Sequence, residues 1–164
     1  MRLRIATVEL TRQRGSSVEI TVRLEGPEGT HEASRQGVGG EQVELRMTSL
    51  ATLDAVHQAV DRTGWIQFLG IKTVRAFDRE IVLVSVRSKD EPARHLVGAV
   101  PYEEDRHRTA AAATLDAVNR LVERELQESV VRNGESRDPG APVREAGGDG
   151  SPAATGNEGD EASP

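Results

Sequence analysis

The 164-residue chain contains no cysteine. A disulfide framework and a cysteine-ligated metal are therefore excluded. Aromatic residues are nearly absent: Trp65, Phe68, Phe77 and Tyr102 are the whole set. The core must be built from Val, Leu, Ile and Ala, and the aromatic rings are too few to stack nucleic-acid bases. No apolar run approaches the length of a membrane span, and Met1-Arg2-Leu3-Arg4 lacks the apolar core of a signal peptide. A cytoplasmic protein without a membrane partner is the expectation. Basic residues are outnumbered by acidic ones, 21 to 27. The chain carries a formal net charge of −6, and Asn133–Pro164 holds seven acids against Arg137 and Arg144, or −5 of that total. The preceding residues are close to neutral, which argues against a general attraction to nucleic acid or to an acidic membrane surface. The same C-terminal stretch has almost no apolar residue beyond Ala and Val143, too little to offset the entropy of ordering. Residues 131–164 are expected to form a disordered acidic tail.

What is present is a repeat. Ala-Thr-Leu-Asp-Ala-Val occurs at 51–56 and again at 113–118, a spacing of 62 residues. At the same spacing Ile20, Val22 and Leu24 fall on Val82, Val84 and Val86. Small-residue segments precede each hexapeptide, Gln36-Gly37-Val38-Gly39 and Val97-Gly98-Ala99-Val100, aligned by a one-residue shift. Two copies are too few for a solenoid and fit one pseudo-symmetric domain over 1–130, with units of about 1–63 and 64–130.

Each unit reads as strand-strand-strand-helix. Val18 to Glu25 alternates apolar and charged residues, the signature of a half-buried strand, while the first strand, Arg2 to Gln13, alternates ambiguously, as a bulge would cause. Ile81 to Val86 is an almost continuous apolar run, which suits a central position. Helices are expected over about 40–62 and 104–128. The first has an apolar stripe of Val43, Met47, Leu50, Leu53, Ala55, Val56 and Val60 and ends at Gly64; the second presents Ala110, Ala113, Thr114, Ala117, Val118, Leu121, Val122 and Leu126. Short turns make the strands antiparallel, so the fold class is α+β, with two helices packed on one face of an antiparallel sheet.

Several residues extend this pattern. Gly37-Val38-Gly39-Gly40 precedes the first helix; Leu96-Val97-Gly98-Ala99, then Asp105, then Ala113 to Leu121 make up the second unit. In these the chain resembles, over roughly Met1 to Leu126, the C-terminal allosteric and dimerisation domain of 2-isopropylmalate synthase and citramalate synthase. The resemblance implies the fold, self-association as a homodimer, and small-metabolite binding near the glycines. The catalytic barrel of those synthases and its metal-binding histidines have no counterpart here, so their activity is not expected.

Reactive constellations are not evident. His31, His57, His95 and His107 offer no pair at metal-binding spacing, although His31 and His95 lie on equivalent third strands. Asp54 and Asp116 can be read as a symmetric acid–base pair, but the Asp116–Arg120 spacing suits an ordinary ion pair on a helix surface. The serines lack a nucleophile-elbow context. Gly37 to Gly40 can cradle an anion with backbone N–H groups, yet it lacks the Lys-Ser/Thr of a phosphate loop, and a turn is the simpler reading. Arg75, Arg79, Arg87, Arg94, Arg106 and Arg108 form a basic rim that neighbouring acids cancel. The expectation is thus a non-catalytic regulatory or interaction module with no cofactor, no metal and no nucleic-acid partner. A ligand would sit at Gly37, Gly39, Gly98 and Ala99, with Arg35 or Arg94 as counter-charge. The alternatives are a small enzyme with a site assembled from scattered residues, or a protein scaffold without a ligand.

Overall fold

A computed structural model describes residues 2–135. The elements are β1 (Arg4–Arg12), β2 (Ser17–Gly26), β3 (Gly29–Val38), α1 (Glu41–Ala59), β4 (Ile66–Ala76), β5 (Arg79–Ser88), β6 (His95–Pro101) and α2 (Arg106–Glu135). The strand-strand-strand-helix unit is present twice, as the repeat implies. The strands form two antiparallel three-stranded sheets, β1-β2-β3 and β4-β5-β6, with β2 and β5 at their centres. The acidic tail expected over 131–164 lies, from residue 136 onward, outside the described residues.

Side-chain alternation decides which face of each sheet is buried. Val18, Ile20, Val22 and Leu24 of β2 are at most 3% exposed, and Val82, Val84 and Val86 of β5 at most 1%. The opposite side of β5 is half-buried, so its continuous apolar run reflects a central strand with a partly open outer face. Both first strands carry a bulge, between Ile5 and Thr7 and between Phe68 and Gly70. An extra residue inverts the in/out alternation beyond it, which is why the first strand's periodicity is ambiguous.

The helices are more deeply covered than a one-face stripe would allow. Each packs on its own unit's sheet, on the other helix and on the first strand of the other sheet. The helix pair is thus held between the two sheets, and one continuous apolar core joins both units. Burial consequently reaches polar positions: Thr48, Thr52 and Thr114 are fully enclosed, and Thr52 and Thr114 donate their hydroxyls to the carbonyls of Thr48 and Ala110. Leu45 and Ala51 join the buried set of α1, whereas Val43, placed in the stripe by spacing alone, is 45% exposed. All eight residues assigned to the buried side of α2 are buried.

Helix ends follow local chemistry. α1 stops at Ala59, short of Arg62, because Asp61 takes the left-handed conformation (φ 50°). The N–H groups of Asp61 and Arg62 then donate to the carbonyls of Gln58 and His57, closing the helix as a left-handed C′ residue does. Asp105 starts α2, its Oδ1 accepting the N–H groups of His107 and Arg108 at 2.9 and 3.0 Å. α2 continues to Glu135, beyond the Glu128 expected from its apolar spacing.

Candidate functional site

The repeated hexapeptide is a packing element. Five of its six positions are buried in both helices, and only the acid reaches outward. Each acid then ties its helix to the third strand of its own sheet. Asp54 accepts two bonds from the Arg35 guanidinium, 2.6 Å from Nε and 2.9 Å from Nη2. Asp116 accepts the backbone N–H of Ala99 at 3.0 Å, so it reaches across to the strand and not along the helix to Arg120. The two carboxylates thus serve separate tethers, one in each unit.

The glycine-centred residues are largely committed to structure. Strand pairing sets Gly98 opposite Val84, while the residue opposite the equivalent Val22 is Ala33, so Gly37 and Gly98 are not structural equivalents. A Cβ at Gly98 would stand 1.9 Å from the Ala113 carbonyl oxygen and 2.5 Å from the Ala117 nitrogen. Gly98 is therefore where α2 lies directly on β6. A Cβ at Gly37 would meet the Met47 Sδ at 2.6 Å. Gly39 donates its N–H to Ser16 O and Gly40 to Glu44 Oε1, which occupies the anion cradle anticipated ahead of α1. Arg35 is paired with Asp54, and Arg94 lies exposed in the connection before β6. Arg35, Gly37 and Gly39 belong to the first sheet's side and Arg94, Gly98 and Ala99 to the second's.

Among the described residues no group of three His, Cys, Asp or Glu side chains is placed to hold a metal ion. His31 and His95 sit in different sheets. His107 pairs with Glu44 across the two helices, Nε2 to Oε2 3.2 Å. His57 lies beside Asp54 and the Ile66 backbone, and burial holds its pKa below the ordinary histidine value, against the opposing pull of Asp54. A histidine kept neutral by the fold resists protonation, so the folded state binds fewer protons than the unfolded chain as pH falls below the histidine's usual value near 6.5. Stability from this residue is present above that pH and is lost as pH falls toward the depressed value. Urea midpoints are expected to drop between about pH 7.5 and pH 5.5, and a His57→Gln variant to show a smaller drop over that interval.

A different place emerges when the two units are compared position by position. A cleft of about 440 Å³ is lined by Leu3, Arg4, Ile5, Val100, Glu103, Arg108, Thr109, Ala112, Leu115 and Asn119, where β1 meets α2 and β6. The equivalent positions where α1 meets β4 carry larger side chains. Leu50 occupies the position of Ala112 and Met47 that of Thr109, by the 62-residue spacing. Phe68 occupies the position of Ile5, since Phe68 pairs with Val86 and Ile5 with the equivalent Leu24. The Arg46 guanidinium lies over the Phe68 ring at 5.2 Å, whereas its counterpart Arg108 reaches only the Ile5 carbonyl oxygen, at 3.5 Å. Smaller side chains at three equivalent positions open the cleft.

The cleft has directional chemistry. Asn119 Oδ1 is buried without a hydrogen-bond partner, and burying such an acceptor costs free energy unless something donates to it. Arg4 and Arg108 bring positive charge to the rim and Glu103 one acid, while Leu3, Ile5, Val100, Ala112 and Leu115 form an apolar wall. A small molecule with an aliphatic body, an anionic group and a donor satisfies all three features. Sequence reasoning missed this place because it turned to the glycines. The available signal was the exchange of Leu50 for Ala112 and of His57 for Asn119, the residues that flank the repeated hexapeptide on either side.

Among the described residues no helix is long and apolar enough to cross a membrane. No protein-family model matches the chain, and no curated protein matches it.

Proposed function

We propose that this chain is a non-catalytic regulatory module that binds a small aliphatic carboxylic acid carrying a hydrogen-bond donor in the cleft between β1, α2 and β6. A branched-chain amino acid has that chemistry, and it is the ligand class that the resemblance to the synthase regulatory domain also suggests. The observation that carries the reading is the asymmetry of the duplicated core: the cleft is lined by Ala112, Ile5 and Thr109 where the other unit carries the larger Leu50, Phe68 and Met47. The volume, about 440 Å³, lies within the ordinary range for small-ligand sites, roughly 300–1,000 Å³. The cleft combines binding chemistry with no paired nucleophile and base, so binding and not turnover is the activity it suits.

A thermal-shift screen over amino, keto and hydroxy acids tests this. A ligand at a hundred times its dissociation constant stabilises the folded state by about 2.7 kcal/mol, a shift of several degrees for a domain of this size. Ala112→Leu installs in the second unit the side chain that the first already uses. It is expected to abolish the shift while leaving the ligand-free midpoint unchanged or higher. If no compound moves the midpoint, or if Ala112→Leu responds as the parent does, the reading is wrong. Turnover of any of these compounds by metal-free protein favours the enzyme alternative instead.

A further inference from the structure

The two sheets are equivalent inside and opposite outside. The outward positions of the first sheet, read from the strand pairing, are Arg4, Thr7, Glu9 and Thr11 of β1, Glu19, Thr21, Arg23 and Glu25 of β2, and Thr30, Glu32, Ser34 and Gln36 of β3. None is apolar, and they are joined laterally by polar contacts such as Thr21–Ser34 and Arg23–Glu32. The same positions of the second sheet carry Val74, Ile81 and Pro101 in one row, Lys72, Leu83 and Ala99 in the next, Gly70, Ser85 and Val97 in the third, and the polar Gln67, Arg87 and His95 in the fourth. Val97 is 63% exposed. Beyond the first row, Phe77 is 95% exposed at the tip of the β4–β5 turn, with φ of 52°. A bulky residue in the left-handed region is uncommon and strained, and here no burial in the chain itself offsets it. The charged residues at outward positions of this face, Lys72, Arg79 and Arg87, are all basic.

We propose that the outer face of the β4-β5-β6 sheet docks an acidic amphipathic helical segment of a partner protein. Pseudo-symmetry supplies the internal control: a fold that needs only solubility at this surface already has a polar version of it in the first unit. Charge selects the partner's sign, because no Asp or Glu occupies an outward paired position of this face while three cations do. Size selects the kind of partner. Three strands about 4.8 Å apart and some seven residues long present on the order of 330 Å². That is well below the roughly 800 Å² per partner of a standard interface between two globular chains, and a second copy would also set cation against cation. It matches a single helix, about 10 Å wide and some 15 residues long, laying an apolar stripe along Val97, Leu83 and Ile81 with its acids over Lys72, Arg79 and Arg87. The chain's own acidic C-terminal stretch has the sign but, with Val143 its one large apolar residue, lacks the stripe.

The test uses the full chain and a fluorescent, acidic, helix-forming peptide with Leu at i, i+3, i+4 and i+7, alongside its lysine-for-glutamate counterpart. Anisotropy at low salt is expected to show saturable binding of the acidic peptide and none of the basic one. The double variant Val97→Glu/Lys72→Glu, both at exposed positions, is expected to weaken binding by about tenfold or more, and Thr21→Glu on the other sheet to leave it unchanged. Thermal melts confirm that the variants remain folded. The proposal is overturned if the acidic peptide fails to bind, if the basic peptide binds equally, or if Thr21→Glu weakens binding as much. It is also overturned if sedimentation shows a dimer that Val97→Glu dissociates, since a second copy then covers the face, or if NMR contacts place residues 136–164 on Val97. Neither binding result bears on the ligand cleft, which lies on the inner side of this sheet, so the two proposals fail separately.

Discussion

Leu53→Asp is expected to abolish cooperative unfolding at room temperature, leaving a chain without a thermal transition. Leu53 is 2% exposed and sits in the core that joins both units. Removing it forfeits about 2 kcal/mol of apolar burial, and an unpaired carboxylate in its place costs several more. The sum is comparable to the roughly 5–15 kcal/mol that stabilises a domain of this kind. Leu115→Asp, at the equivalent position and 5% exposed, is expected to behave alike. Val43→Asp is the internal comparison. It lies on the same helix and in the stripe that spacing suggests, but its exposure predicts a change within about 0.5 kcal/mol. A stable Leu53→Asp, or an unfolded Val43→Asp, would mean that α1 is rotated relative to the sheets.

Gly98→Ala is expected to cost about 3 kcal/mol or more, although it adds a single carbon. The obstacle is main chain: a Cβ 1.9 Å from the Ala113 carbonyl oxygen can be relieved only by lifting α2 from β6, which overpacks or breaks contacts along the whole helix. It would also draw Ala99 N–H from Asp116, the tether one residue away. Gly37→Ala, facing the mobile end of Met47, is expected to cost about 1 kcal/mol or less, because a thioether can turn aside. Urea denaturation of the two variants separates them. Equal midpoints would contradict the close seating of α2.

Much of this architecture is legible in the sequence where one side chain has one environment. Val18, Ile20, Val22 and Leu24 alternate against charged neighbours, and the eight apolar and small residues of α2 all proved buried. The first strand's broken alternation is the bulge at Ile5 to Thr7, repeated 63 residues later. What spacing could not convey was that each helix touches both sheets. A helix between two layers is buried over a wide arc, so Thr48, Ser49 and Thr52 are enclosed although their polarity suggests a surface, and Val43 is left outside although its apolarity suggests a core. The glycines differ between the units for a related reason. Gly37 and Gly98 look alike in sequence, but only strand register shows that Gly98 lies opposite Val84 and that Ala33 holds its place in the first unit. The cleft depends on the same register, since Ile5 and Phe68 become equivalent only through their partners Leu24 and Val86.

The proposed function rests on the cleft between β1, α2 and β6 being a binding site. The most direct measurement is a two-dimensional amide NMR titration of the full chain with the acid that gives the largest thermal shift. Perturbed amides are expected to cluster at residues 3–5, 100–103 and 108–119, with a new side-chain signal position for the Asn119 amide, and Ala112→Leu is expected to remove them. Perturbations centred instead on residues 37–40, with Asn119 unmoved, would contradict it.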